Sequence, residues 1–165
     1  MKHKQGIPTE RGSTLFLRGV VVAIGLAVLG ICVFGLPALI KSELTTSDFD
    51  YGWIFVGLYV PAVPFFFALY QSLKLLDNID KNRAFSESSV RAFRNIKYCA
   101  LAISGLFAAG MPYVFYVADR DDAPGVALVG FVIVGASFVI ATFAAVLQKL
   151  VQNAVDIKSE NDLTV

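Results

Sequence analysis

The chain has 165 residues, 56% of them hydrophobic and 16% charged, with 14 Lys and Arg against 13 Asp and Glu. A soluble domain carries about 45–50% apolar and about 25% charged residues. Here the apolar excess is gathered into four long runs with the charges clustered between them, which excludes a water-soluble globular domain and leaves no length for a separate one.

Residues 1–14 are polar and basic, with Lys2, His3, Lys4 and Arg11. The first apolar run predicts a span over 15–40, with Arg18 at its mouth able to reach the headgroups. It outruns the apolar core of a secretory signal, which is about 7–15 residues. A loop with Glu43, Asp48 and Asp50 leads to a second span over 51–76. Pro61 and Pro64 lie inside it; each lacks an N–H and crowds the carbonyl four residues back, so a kink or cavity is expected there, shared with Ser104 of the third span. The third span is 96–117 and the fourth 125–150, separated by Asp119-Arg120-Asp121-Asp122. A connecting hairpin over 77–95 and a tail over 151–165 complete a single membrane domain.

Charge orients these spans. With the N-terminus inside, inner segments hold Lys2, Lys4, Arg11, Arg18, Lys74, Lys81, Arg83, Arg91, Arg94, Lys97, Lys149 and Lys158, and outer loops only Lys41 and Arg120, 12 against 2. Short loops are where the positive-inside bias has force. Tyr51, Trp53, Tyr113 and Tyr116 then mark the outer interface, and Tyr70 and Tyr98 the inner one. The expectation is an all-α, integral membrane four-helix bundle, up-down-up-down, with both termini cytoplasmic.

Chemistry-bearing residues are sparse. The single histidine is His3, and no Asp, Glu, Lys or Arg falls near the middle of a span, where proton relays and ion pathways place theirs. No catalytic, metal-ligating or phosphate-binding pattern is present, so no cofactor, metal or enzymatic activity is expected, and a lipid-modifying enzyme is disfavoured. Cys32 and Cys99 lie at different depths, too far apart for a disulfide. Small residues recur at Gly19, Gly25, Gly30 and Gly35, and the pairs Ser104/Ala108 and Ala141/Ala145 have the four-residue spacing that lets helices approach closely, within the bundle or in a homo-oligomer. Gly52-x-x-x-Val56-Gly57 and Gly125-x-x-x-Val129-Gly130 open the second and fourth spans alike, the trace of a diverged repeat or a coincidence of glycine-rich helices.

The segment 74–97 is the most informative. Leu73, Leu76 and Ile79 extend the second helix, Lys81-Asn82-Arg83 breaks it, and Ser86 is positioned to cap the next helix, with Phe85 and Val90 spaced for a hydrophobic staple. Arg91, Arg94 and Lys97 follow. These cations read either as orientation charge in contact with anionic lipid or as a docking surface for a cytoplasmic protein or polyanion. From Val146 to Ile157, Leu147, Leu150, Val151, Ala154 and Ile157 share one helical face, and an acidic stretch then ends in Leu163-Thr164-Val165, an apolar end that adds to a partner's edge or frays.

The pattern Leu73-x-x-Leu76-x-x-Ile79…Phe85-Ser86-x-x-x-Val90-x-x-x-Arg94-x-Ile96, with the ending Ala154-x-x-Ile157-Lys158-x-Glu160-Asn161-Asp162-Leu163-Thr164-Val165, resembles a bacterial family catalogued as a domain of unknown function. Its members are small four-span membrane proteins often encoded beside a Cro/CI-type helix-turn-helix regulator. The resemblance covers the chain from the first span to the last residue. It departs at Lys81-Asn82-Arg83-Ala84, where the family carries Gly or a small residue before the Phe-Ser pair. It implies no catalytic residues. It implies a non-enzymatic accessory or sensor that binds a small cytoplasmic DNA-binding regulator through Phe85, Ser86, Val90, Arg91, Arg94, Leu163 and Val165, without touching nucleic acid itself. The alternative is a small passive transporter, channel or immunity-type protein using a cavity near Pro61, Pro64 and Ser104.

Overall fold

The computed structural model describes residues 9–35, 37, 52–120 and 122–163. Helix α1 covers Thr9–Gly30 and continues as one π-helical turn, Ile31–Gly35. Helix α2 covers Gly52–Asp80 and runs through Pro61 and Pro64. Helix α3 covers Glu87–Arg120, and α4 covers Pro124–Asp162. Each holds a stretch long and apolar enough to cross a membrane. The helices extend beyond the membrane spans, as the Ser86 cap and the amphipathic face over 146–157 lead one to expect: α3 begins at Glu87, ahead of the span at 96, and α4 runs past 150 and Ile157 to Asp162. Residues 38–51, with the acidic loop and Tyr51, lie outside the described residues.

Both described turns use the same stop. After α2, the Asn82 N–H donates to the Ile79 carbonyl at 3.0 Å and the Arg83 N–H to the Asn78 carbonyl at 2.8 Å. After α3, the Ala123 N–H donates to the Ala118 carbonyl at 2.9 Å. This Schellman arrangement needs a left-handed residue at its apex. Asn82 (φ 54°) and Asp122 (φ 50°) supply it. Asn and Asp tolerate that region better than other side chains. The departure at Lys81-Asn82-Arg83-Ala84 therefore keeps the sharp turn, with Asn82 doing what a glycine does elsewhere.

The turns fold the chain back and forth, and each helix packs chiefly on its neighbour in sequence, most extensively α3 on α4. That seam repeats in heptads. On α4, Ala127, Gly130, Ala141, Ala144 and Val151 are buried, and on α3, Ala100, Ser104, Met111 and Ala118. Small side chains bring the backbones close, which lipid-embedded helices need because apolar burial alone drives no association in hydrocarbon. Gly130 shows the closeness: a Cβ there would lie 2.9 Å from Met111 Sδ.

Helix α1 is held more lightly, at three levels against α2. Arg18 pairs with Asp80 at 3.4 Å and Asp77 at 3.9 Å. Gly25 lets Leu69 approach, a Cβ there lying 3.2 Å from Leu69 Cδ1. In the π-helical turn, the Tyr59 hydroxyl donates to the Cys32 carbonyl at 2.8 Å.

Candidate functional site

The N-terminus of α1, the α2–α3 turn and the end of α4 come together at one end of the bundle, which also carries most of the described basic residues. The turn is built around Ser89, whose side chain is fully buried, at 0% exposure. Its hydroxyl donates to the Arg83 carbonyl at 3.4 Å, and the Asn78 amide donates to Ser88 Oγ and Ser89 Oγ, both at 3.3 Å. The Ser89 N–H donates to Ser86 Oγ at 3.4 Å, while the Ser86 carbonyl accepts from the N–H groups of Ser89 and Val90 at 3.0 and 3.1 Å. Ser86 thus caps α3, as the Ser at that spacing predicts. Val90 is buried, but Phe85 stays 61% exposed, so the expected staple leaves the ring open to solvent.

Ser86→Ala is expected to remove a cap worth about 1 kcal/mol. Amide hydrogen exchange across residues 86–92 should quicken while the spans stay protected. Unchanged exchange there would contradict the capping role.

The residues expected to dock a partner divide in two. Ser86 and Val90 hold the start of α3, whereas Phe85, Arg91, Arg94 and Leu163 point outward. Val165 lies outside the described residues. The bond from Lys97 Nζ to Gln148 Oε1, 3.1 Å, sets the register of α3 against α4 and puts the last turns of α4 level with the start of α3. The amphipathic face of α4 is partly covered: Val151 is buried, while Leu150 and Ile157 are 58% and 61% exposed.

The charge is unevenly distributed. On the α1–α2 side, Arg18, Asp77, Asp80 and Lys81 form a network, with Lys81 Nζ 2.6 Å from Asp77 Oδ2. These groups are exposed, so water screens each pair and their part is to cancel charge rather than to hold the helices together. The network neutralises that side. Among the described residues, no carboxylate pairs with Arg91, Arg94 or Lys97, so the α3 side keeps its positive field.

Pro61 is buried and Pro64 half-buried in α2. Ser104 is buried, and its hydroxyl donates to the Val134 carbonyl at 3.2 Å, which ties α3 to α4. None of the three lines the apolar groove of about 770 Å³ at the opposite end of the bundle, which is walled by Phe115, Phe131, Leu128 and Val132 with Asp119 and Asp122 at its rim. Among the described residues, no group of three His, Cys, Asp or Glu is gathered to hold a metal, and Cys32 and Cys99 are free thiols.

A family model described as a protein of unknown function, DUF2975, matches residues 35–165, from the end of the π-helical turn onward. A relative in Bacillus subtilis (strain 168), the uncharacterized membrane protein YoaS, is 55% identical over 159 residues, covering 94% of this chain and 99% of the relative. No solved structure matches.

Proposed function

The chain belongs to the DUF2975 family of membrane proteins, and on that premise we propose that it is a non-enzymatic accessory or sensor whose basic end binds a small cytoplasmic helix-turn-helix regulator. The observation that carries this reading is the overreach of α3 and α4. Their 34 and 39 residues make rods of about 51 and 58 Å, against about 40–45 Å for a bilayer with its headgroups. The excess stands at the basic end as a two-helix stalk. The positive-inside bias, 12 basic residues against 2, supports the reading that this end faces the cytoplasm from a bacterial inner membrane. There Phe85, Ile157 and Leu163 are exposed, 61%, 61% and 85%, beside Arg91 and Arg94. Apolar side chains and arginines held together in water suit a partner's surface. The non-enzymatic reading rests on the single histidine, His3, and on ionisable side chains kept to the helix ends.

The test is to look for a short helix-turn-helix gene next to this one and to co-purify its product with the full-length chain from membranes. The wild-type chain should retain it. Deleting 159–165, or Arg91→Glu with Arg94→Glu, should release it to the cytosol while the bundle still inserts. No retention by the wild type, or equal retention after both changes, contradicts the proposal.

A further inference from the structure

One cation at the basic end differs from the rest. Lys97 is half-buried between α3 and α4, and its ammonium meets only neutral groups: Gln148 Oε1 at 3.1 Å and the face of Tyr98, 4.8 Å from the ring centroid. Arg18 and Lys81 pair instead with Asp77 and Asp80, and among the described residues no ion pair reaches Lys97. A cation carried on a half-buried side chain and lacking a counter-charge gains from an anion brought to it. An ammonium has three donors, and Gln148 takes one.

Depth says what supplies the missing charge. A hydrocarbon core of about 30 Å takes about 20 residues of helix, so a span entered near Gly125 is left near residue 145. Lys97 and Gln148 stand about one turn beyond, at the level of lipid phosphates. Around them, Arg94 and Lys149 are exposed, and Tyr98 is 59% exposed, a ring with an apolar body and a polar tip as interfacial aromatics have. Gaps between transmembrane helices with basic walls are where anionic headgroups seat.

We propose that Lys97, Gln148 and the flanking cations Arg94 and Lys149 form a headgroup site that takes the phosphate of an anionic phospholipid. The lipid's chains lie along the outer face of the α3–α4 seam, and its phosphate oxygens accept the free donors of Lys97. The site shares Arg94 with the regulator-docking surface, but Lys97 and Gln148 lie outside that surface, so variants at those two positions test the headgroup site while Phe85, Arg91, Arg94 and Leu163 stay in place.

The test uses the full-length protein in a neutral detergent, with phosphatidylglycerol, phosphatidylcholine and inorganic phosphate as probes, read by thermal unfolding and by native mass spectrometry of retained lipid. Phosphatidylglycerol should raise the unfolding midpoint and stay bound, while phosphatidylcholine and millimolar phosphate do neither. Lys97→Gln should weaken phosphatidylglycerol retention by about fivefold or more, one cation's share at a membrane surface. Lys97→Arg and Lys158→Gln should retain it as the wild type does. Gln148→Glu keeps the fold testable where Lys97→Gln does not: it puts a carboxylate beside Lys97, satisfies the ammonium internally and should abolish the preference. Equal effects of phosphatidylglycerol and phosphatidylcholine, a full effect of inorganic phosphate, or an undiminished preference in Gln148→Glu would overturn the site.

Discussion

Gly130→Leu is expected to destabilise the α3–α4 hairpin by about 1–3 kcal/mol, the cost of over-packing a seam that has no room. The first added carbon already lies 2.9 Å from Met111 Sδ, and Val114 Cγ1 follows at 3.7 Å. Met111 can turn its flexible end away from one methyl, so Gly130→Ala should be mild; four carbons force the helices apart. Gly135→Leu is the control, because a Cβ at Gly135 meets nothing within 4 Å. Denaturant titration in micelles should separate the two leucine variants, and equal losses would contradict the seam.

The second large effect belongs to Ser89, which at 0% exposure has no space for a bigger side chain. Ser89→Leu combines over-packing, about 1–3 kcal/mol, with about 1 kcal/mol for hydrogen bonds lost from Asn78 and the Arg83 carbonyl. Ser89→Ala should show only the latter. Since Ser89 joins the end of α2 to the start of α3, hydrogen exchange should quicken on both sides of the turn in the leucine variant. A loss confined to α3 would show that the network does not bridge the two helices.

The sequence makes the four spans plain because hydrocarbon imposes a length: nothing but a helix satisfies its own backbone over about 20 apolar residues. It is less informative about where the helices stop. Beyond the bilayer α3 and α4 continue on ordinary amphipathic spacing, which hydropathy does not register; the Ser86 cap gives the start of α3 at Glu87, whereas the end of α4 at Asp162, past the apolar face that closes at Ile157, comes from the structure. Which face of each span meets a neighbour is equally hidden, since lipid-facing and helix-facing positions are both apolar. Ser104 and Ala141 do lie in the seam that their small-residue spacing suggests, whereas Ala108 is exposed.

At the basic end, the Ser86 cap could be read from local chemistry, but the roles of Ser89 and Arg18 could not. A serine two places into a helix has no sequence signal for burial; Asn78 makes it matter, from the preceding helix. Arg18 reads as a cation reaching for headgroups, yet it faces Asp77 and Asp80 on α2. Acids placed three apart on the exit of the second span, at the depth where Arg18 enters the first, were the available clue. Lys97 stands out only once the structure shows Asp77 and Asp80 engaged by Arg18 and Lys81.

Docking of a cytoplasmic regulator requires the basic end of the bundle to face the cytoplasm, with four spans crossing the membrane. Single cysteines at Ser13, Ser47, Ala123 and Ser159, in a chain with Cys32 and Cys99 replaced, report this directly in intact cells. A membrane-impermeant maleimide should label Ser47→Cys and Ala123→Cys, and should reach Ser13→Cys and Ser159→Cys only after the membrane is opened. Labelling of Ser159→Cys from outside, with Ala123→Cys protected until permeabilisation, would contradict the orientation and with it the cytoplasmic docking surface.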